Sequence, residues 1–343
     1  MTQPGPYRIT NDTEELLASG WAGYVKAHRD GNVFQYPQTF ELFRHVPGYT
    51  PMVTGVINAS SGKLCGILMN VVQEEPAFYR RLTARSLVWG GPLADNQEVA
   101  GLLLKRYVER IRKRAIYSQF RNLFPCKDLA AAFALAGFTF LEHLNYHVDT
   151  RLELPAELLE KMSKSRARQI RKGLANCELT EATDEHEVIN FYELLRRLYH
   201  EKVGKPLPPI EFFTGFQKTM VPAGLGKFLL IKKNGKLIGG IMTPMTPGKA
   251  IYEWYIAGLD KEYKDEYPSI LATWYAILQG QRLGMEHFDF LGAGKPSKDY
   301  GVREFKSKFG GELVNFGRFE MIHRPLLMKL GVLGLKIYRY IRK

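Results

Sequence analysis

Cysteine is scarce in this chain. Cys65, Cys126 and Cys177 stand alone among 343 residues, with no Cys-x-x-Cys pair and no Cys/His cluster. A disulfide framework and a thiolate metal site are therefore excluded as expectations, no metal ligands are assigned, and a reducing compartment is indicated. No run of 18 apolar residues is present to span a bilayer, and the N-terminus lacks a basic-plus-apolar leader. These absences predict a cytoplasmic protein, free or peripheral on the inner face of the cytoplasmic membrane. Acidic residues are missing from two stretches. The last 20 residues carry Arg324, Lys329, Lys336, Arg339, Arg342 and Lys343, and residues 164–172 carry Lys164, Arg166, Arg168, Arg171 and Lys172. With a net charge of +13, these clusters suggest a polyanionic partner such as tRNA, a nucleotide diphosphate or anionic lipid. A merely solvated basic surface is the alternative.

What is present is a repeat. Gly62-Lys63-Leu64-Cys65-Gly66-Ile67-Leu68-Met69 returns half a chain later as Gly235-Lys236-Leu237-Ile238-Gly239-Gly240-Ile241-Met242, sharing Gly-Lys-Leu, the next glycine and the closing Met. Each copy follows an apolar run and a turn, and Asn234-Gly235 is the dipeptide a tight type I′ hairpin favours. After each copy come another strand, a helix (about 96–114 and 268–283) and a short aromatic strand (115–120 and 286–291). Such order predicts an α/β (α+β) fold made of two similar domains, each a mixed sheet flanked by helices, with a ligand cleft expected where duplicated domains meet. Expected borders are 1–152, 153–322, and a basic amphipathic helix at 323–343. That last helix suits either docking on the core by its apolar face or lying on anionic lipid.

Several segments resemble the Fem-type peptidoglycan aminoacyltransferases. Lys164 to Lys172 is similar to the basic element that opens their second domain. Phe191-Tyr192, Pro208 to Phe213 and Asp289-Phe290-Leu291-Gly292 also fit. The most specific match is Phe305-Lys306-Ser307-Lys308-Phe309-Gly310-Gly311 after Tyr300-Gly301. Phe34-Gln35-Tyr36 resembles an N-terminal segment of that family, with Tyr36 where serine is usual. The resemblance implies two acetyltransferase-like (GNAT-like) domains and transfer of an amino acid from aminoacyl-tRNA, or from another activated acyl donor, onto a nucleotide- or lipid-linked cell-envelope precursor. Acyl transfer to an exopolysaccharide or lipid amine, and a non-catalytic envelope-assembly role, are the other readings. Where many members have Arg-Gly-Pro, this chain has Gly90-Gly91-Pro92, which removes an arginine from the acceptor side.

The resemblance places Lys306 at the transfer site, where a fixed cation stabilises a tetrahedral oxyanion or holds a phosphate. Asp289, at the end of a strand before a glycine-rich loop, is a second catalytic candidate, with capping of loop amides as its plain alternative. Glu253 is a candidate base on the strand 251–256, and strand alternation puts it on one face with Tyr255. Gln35, Tyr36, Arg121, Tyr255, Tyr300, Arg303 and Lys308 are expected to bind substrate, and Lys164, Arg168, Arg171 and Lys172 to bind tRNA or phosphate. No cofactor is expected. The glycine-rich loop that holds the CoA pyrophosphate in acetyltransferases is replaced by Lys264-Asp265-Glu266-Tyr267-Pro268-Ser269 and, in the first half, by Ala94-Asp95-Asn96-Gln97-Glu98.

Overall fold

The repeated octapeptide forms the same irregular hairpin twice. In a computed structural model that describes residues 5–74, 83–152, 154–203, 206–297 and 301–331, β2 (Tyr49–Asn58) pairs antiparallel with β3 (Leu64–Gln73). β10 (Gly226–Lys233) pairs likewise with β11 (Lys236–Thr246), turning through Asn234 and Gly235 at φ 49° and 73°. Both pairings slip by one residue at the equivalent step, between Val56 and Ile57 and between Ile231 and Lys232, so Cys65 and Ile238 are the bulged residues. The glycine after each bulge leaves room for a crossing helix. A Cβ on Gly66 would lie 2.4 Å from Val99 Cγ1 of α4 (Gln97–Ile111), and one on Gly239 would lie 2.9 Å from Pro268 Cβ of α10 (Pro268–Arg282).

Around these hairpins the chain builds two compact units, Met1–Glu142 with Phe316–Lys343, and His143–Asn315. The first sheet runs β1 (Tyr7–Thr10), β2, β3, β4 (Arg85–Trp89), β6 (Tyr117–Arg121), β16 (Arg318–Ile322), β7 (Thr139–Leu141), with β5 (Leu93–Ala94) beside β3. The second runs β15 (Glu312–Val314), β8 (Asn145–Asp149), β14 (His287–Asp289), β12 (Ala250–Tyr252), β11, β10, β9 (Glu178–Glu181), with β13 (Tyr255–Gly258) beside β11. Each sheet has one parallel pair, β4 with β6 and β12 with β14.

The halves exchange their last strands. β8 ends the first half of the sequence yet pairs with β14 and β15, while β16 ends the second half yet pairs with β6 and β7. The borders expected at residues 152 and 322 therefore shift to 142/143 and 315/316. Alternating hydrophobicity marks a strand but carries no information about which sheet it joins.

The central strands β2, β3 and β11 are buried along most of their length, so both faces of each sheet are covered. Val99, Leu103, Leu104, Tyr107 and Ile111 of α4 cover the first sheet with Phe120, Phe133 and Phe319. In the second unit α10 is buried nearly all round, against Ile241, Ile251, Phe288 and Phe290. β1 is an edge strand paired with β2. The C-terminal helix is described only over 325–331, where Leu326 and Leu330 are exposed. The rest of the basic segment lies outside the described residues. Among the described residues no helix is long and apolar enough to cross a membrane.

Candidate active site in the second unit

The second sheet opens at Glu253. β12 pairs with β11 on one side and β14 on the other, whereas β13 pairs with β11 alone among the described strands. The single strand expected over 251–256 is thus two short ones. Glu253 N still donates to Asp289 O at 2.9 Å, but β14 ends there. The chain then turns away through Leu291 and Gly292 at φ 54° and 135°.

Lys306, on α11 (Gly301–Ser307), reaches into this opening. Its Nζ lies 2.9 Å from Glu253 Oε1 and donates to the carbonyls of Phe290 (2.9 Å) and Gly292 (3.0 Å), above the Phe290 ring. An ammonium has three protons, and three acceptors take them. Both side chains are 8 % exposed. Glu253 Oε2 is buried with no hydrogen-bond partner among the described residues. An unsatisfied buried carboxylate oxygen is costly, and such groups concentrate at functional sites. Glu253, rather than Lys306, retains unused capacity.

The Phe-Lys-x-x-Phe-Gly-Gly segment owes its composition to packing. Phe305 and Phe309 enclose the guanidinium of Arg166, 4.5 and 4.3 Å from their centroids, and Arg166 Nη2 donates to Phe305 O. Burial pushes the Arg166 pKa down to about 10. Gly310, at φ 77°, passes so close to Lys161 O that a Cβ would lie 2.3 Å away, and one on Gly311 would lie 2.8 Å from His147 O. Arg166, which the sequence groups with the surface cations, instead fixes the segment that presents Lys306.

Asp289 is enclosed by protein groups. It is fully buried; Oδ1 accepts from Asn145 Nδ2 (2.7 Å) and Leu291 N (2.6 Å), and Oδ2 lies 3.0 Å from His147 Nε2. Burial alone would raise its pKa, but the adjacent His147 charge and these hydrogen bonds hold it below the ordinary carboxylate value. The loop-capping alternative describes it better than catalysis does. His147 and His287, whose rings stack 4.4 Å apart, were not legible as a pair because they come from opposite halves of the sequence.

The expected substrate residues divide. Gln35 is fully buried and braces β3 to β4, accepting from Met69 N (2.8 Å) and donating to Met69 O and Trp89 O. Tyr36 is 8 % exposed, and burial raises its phenol pKa. Arg303 braces the loop after β14 through Ala293 O and Lys295 O, and Lys308 pairs with Glu304 at 2.8 Å. Gln35 is thus a framework group, whereas the Lys308 side chain is 41 % exposed and stays open to solvent. Tyr255 is half-buried among Phe212, Phe213 and Trp254 beside Glu253, and Tyr300 lies outside the described residues.

In the first unit Arg121 lies over Trp89 and donates to Gln119 Oε1 at 2.8 Å. Arg318, its cross-strand neighbour on β16, donates to the same oxygen at 3.1 Å, and burial followed by the Arg121 charge lowers its pKa to about 9. The arginine absent at Gly90 has a steric reason: φ is 55°, and a Cβ would meet Asn32 Nδ2 at 2.4 Å. Arg318 adds to this strand end a second guanidinium, which arrives there only through the pairing of β16 with β6.

α7 (Lys164–Leu174) buries Arg166, Ala167 and Ile170 and leaves Lys164, Arg168, Arg171 and Lys172 exposed at helical spacing on its outer side. Lys172 pairs with Asp265 at 2.7 Å. Among the described residues the other three form no ion pair. At the start of α10, Ser269 N and Oγ both donate to the Asp260 carboxylate, at 3.0 and 2.6 Å. A carboxylate thus occupies the helix end that an anionic ligand would otherwise favour.

Residues 159–307 match the family model for the acetyltransferase (GNAT) domain. No curated protein matches the chain. Solved structures with the same fold include FemX, at 15% identity and TM-score 0.72 over 94% of this chain and 99% of that one. A tandem GNAT protein from the clavulanic acid biosynthesis pathway gives 12% identity and TM-score 0.58 over 92% and 98%. The C-terminal domain of a putative lysylphosphatidylglycerol synthetase from Agrobacterium fabrum gives 13% and 0.54 over 94% and 96%.

Proposed function

We propose that this chain, a Fem-type tandem of two GNAT-like domains, transfers an aminoacyl group from aminoacyl-tRNA to an amine of a cell-envelope precursor. The observation that carries the reading is the buried Lys306–Glu253 pair at the opening of the second sheet, with one carboxylate oxygen unpartnered among the described residues. The acceptor amine attacks the ester carbonyl, a C–N bond forms, and negative charge collects on the carbonyl oxygen. Glu253 Oε2 takes the proton that the new ammonium must lose, and the C–O bond to the tRNA ribose breaks with a proton passing to that oxygen. Lys306 keeps Glu253 oriented and adds positive charge beside the oxyanion.

Two further features favour tRNA over CoA as donor. The outer side of α7 presents Lys164, Arg168 and Arg171 to a polyanion. Asp260 caps α10, the helix that corresponds in order to the one receiving the CoA pyrophosphate in acetyltransferases. Arg121 and Arg318 supply cationic groups for an anionic acceptor such as a nucleotide- or lipid-linked precursor. Such an acceptor would bring the enzyme to the inner face of the cytoplasmic membrane.

The test is incubation with charged tRNA and, separately, with acyl-CoA, each beside a lipid-linked murein precursor and a lipid amine, with products read by mass spectrometry. An amide on the precursor formed from tRNA alone supports the reading. Labelling from acyl-CoA alone, or of the lipid amine alone, moves the function to acyl transfer with another donor or acceptor.

A further inference from the structure

The geometry points to a binding site for one divalent transition-metal ion of the zinc class on the β8–β14 face, with His147, His287 and Asp289 as its protein ligands. This goes beyond the proposed transfer reaction and does not depend on it.

The scaffold is two hydrogen-bonded strands. His287 and Asp289 are two residues apart on β14 and share a face, and His147 on β8 stands directly across from Asp289 in the register. One donor atom from each of the three lies within 4.8 Å of the others, and the closest pair, His147 Nε2 and Asp289 Oδ2, is 3.0 Å apart. Bonds of ~2.0–2.2 Å in a tetrahedral site place donors roughly 3.4 Å from one another. The widest donor separation, at most 4.8 Å, must therefore close by up to about 1.4 Å to bind one ion.

Its second layer is already built. Asn145 Nδ2 and Leu291 N hold Asp289 Oδ1, so Oδ2 is directed at the two rings. Outer hydrogen bonds of this kind orient a metal-binding carboxylate. The imidazoles lie nearly parallel, 17° between planes, with centroids 4.4 Å apart. A cation entering between His147 and Asp289 takes the position of the shared proton, so one proton leaves as the ion binds. Asp149 and Arg151 pair with each other nearby, and Glu312 on β15 stands opposite His147, so the surrounding charge does not repel a cation. Two nitrogens and one oxygen suit zinc, cobalt or nickel, not magnesium or calcium, and three protein ligands leave a coordination position open.

The experiment uses the full chain after chelator treatment. Zinc is titrated against a chromophoric chelator, and cobalt is added separately to read its visible absorption. One equivalent of zinc at micromolar or tighter Kd, a tetrahedral cobalt band, and at least a 100-fold weaker Kd in His287→Ala are expected. X-ray absorption at the zinc edge of the wild-type protein provides a readout independent of any variant's folding, and should show two imidazoles. Zinc binding that is unchanged in His287→Ala and Asp289→Asn, an imidazole-free shell, or no binding below millimolar overturns the site and leaves a hydrogen-bonded His–Asp pair.

Discussion

Lys306 Nζ stands 2.9 Å from Glu253 Oε1 where both side chains are almost closed to water. Removing one partner leaves the other charge buried and uncompensated. Lys306→Met should lower stability by about 3–5 kcal/mol in denaturant titration, and adding Glu253→Gln should restore most of it. Transfer activity should fall in the single variant and stay low in the double. Recovery of activity together with stability would assign the pair to structure alone.

The exposed side of α7 should govern tRNA affinity through its salt dependence. Neutralising Lys164, Arg168 and Arg171 together should flatten the slope of log K against log salt by up to roughly 2–3, whereas Lys172→Ala, already paired with Asp265, should change it less. Filter binding across roughly 50–500 mM salt, about a decade, reads both slopes. Equal effects from all four residues would contradict this division.

The bulge glycines should tolerate nothing larger. Gly239→Val sets side-chain atoms against Pro268, and Gly66→Val against Val99, so each should cost about 1–3 kcal/mol by overpacking. Urea unfolding reads the loss. Gly62→Ala is no control, because its φ is 69°; Gly101, with nothing near its Cβ position, is.

Acid should weaken the first unit through His323. Burial first, then the Arg324 charge, lower its pKa to about 4, while its ring nitrogen meets Ser118 Oγ at 2.7 Å. A histidine with a depressed folded pKa contributes nothing at pH 7. As pH falls below about 6.5 the unfolded chain takes up the proton and the folded one does not, so stability declines until about pH 4. His323→Gln should flatten the denaturation midpoint across that window, and an unchanged profile would show that other groups carry it.

A chain ending at Asn315 should retain a folded second unit and lose the first, because β16 lies between β6 and β7. Hydrogen exchange should show β8, β14 and β11 protected and β2, β3 and β6 open. A chain of residues 1–152, the border that the sequence suggests, should fail likewise.

Legibility followed the range of the interaction. The Asn234-Gly235 turn is a local device, and it forms as the residues imply. Lys306 and Glu253 could each be singled out, but their contact joins residues far apart in sequence. Gln35 and Asp289 look functional because they are polar in apolar surroundings. Their hydrogen bonds reach distant backbone or side chains that no local pattern encodes. The roles of His147, His287 and Arg318 depend wholly on strand exchange, which leaves no periodicity to read.

That exchange also sets a schedule for synthesis. The edge of β6 that will receive β16 emerges early, and its partner strand comes near the end of the chain. At roughly 5–20 residues per second, on the order of 10–40 s pass between translation of Arg121 and of Arg318. During that interval β6 has a partner on one edge only, and Phe120 and Phe133 lack Phe319, which in the finished fold stacks on Phe133 at 3.9 Å. A nascent chain of this protein therefore leaves that edge of β6 open until β16 has been made.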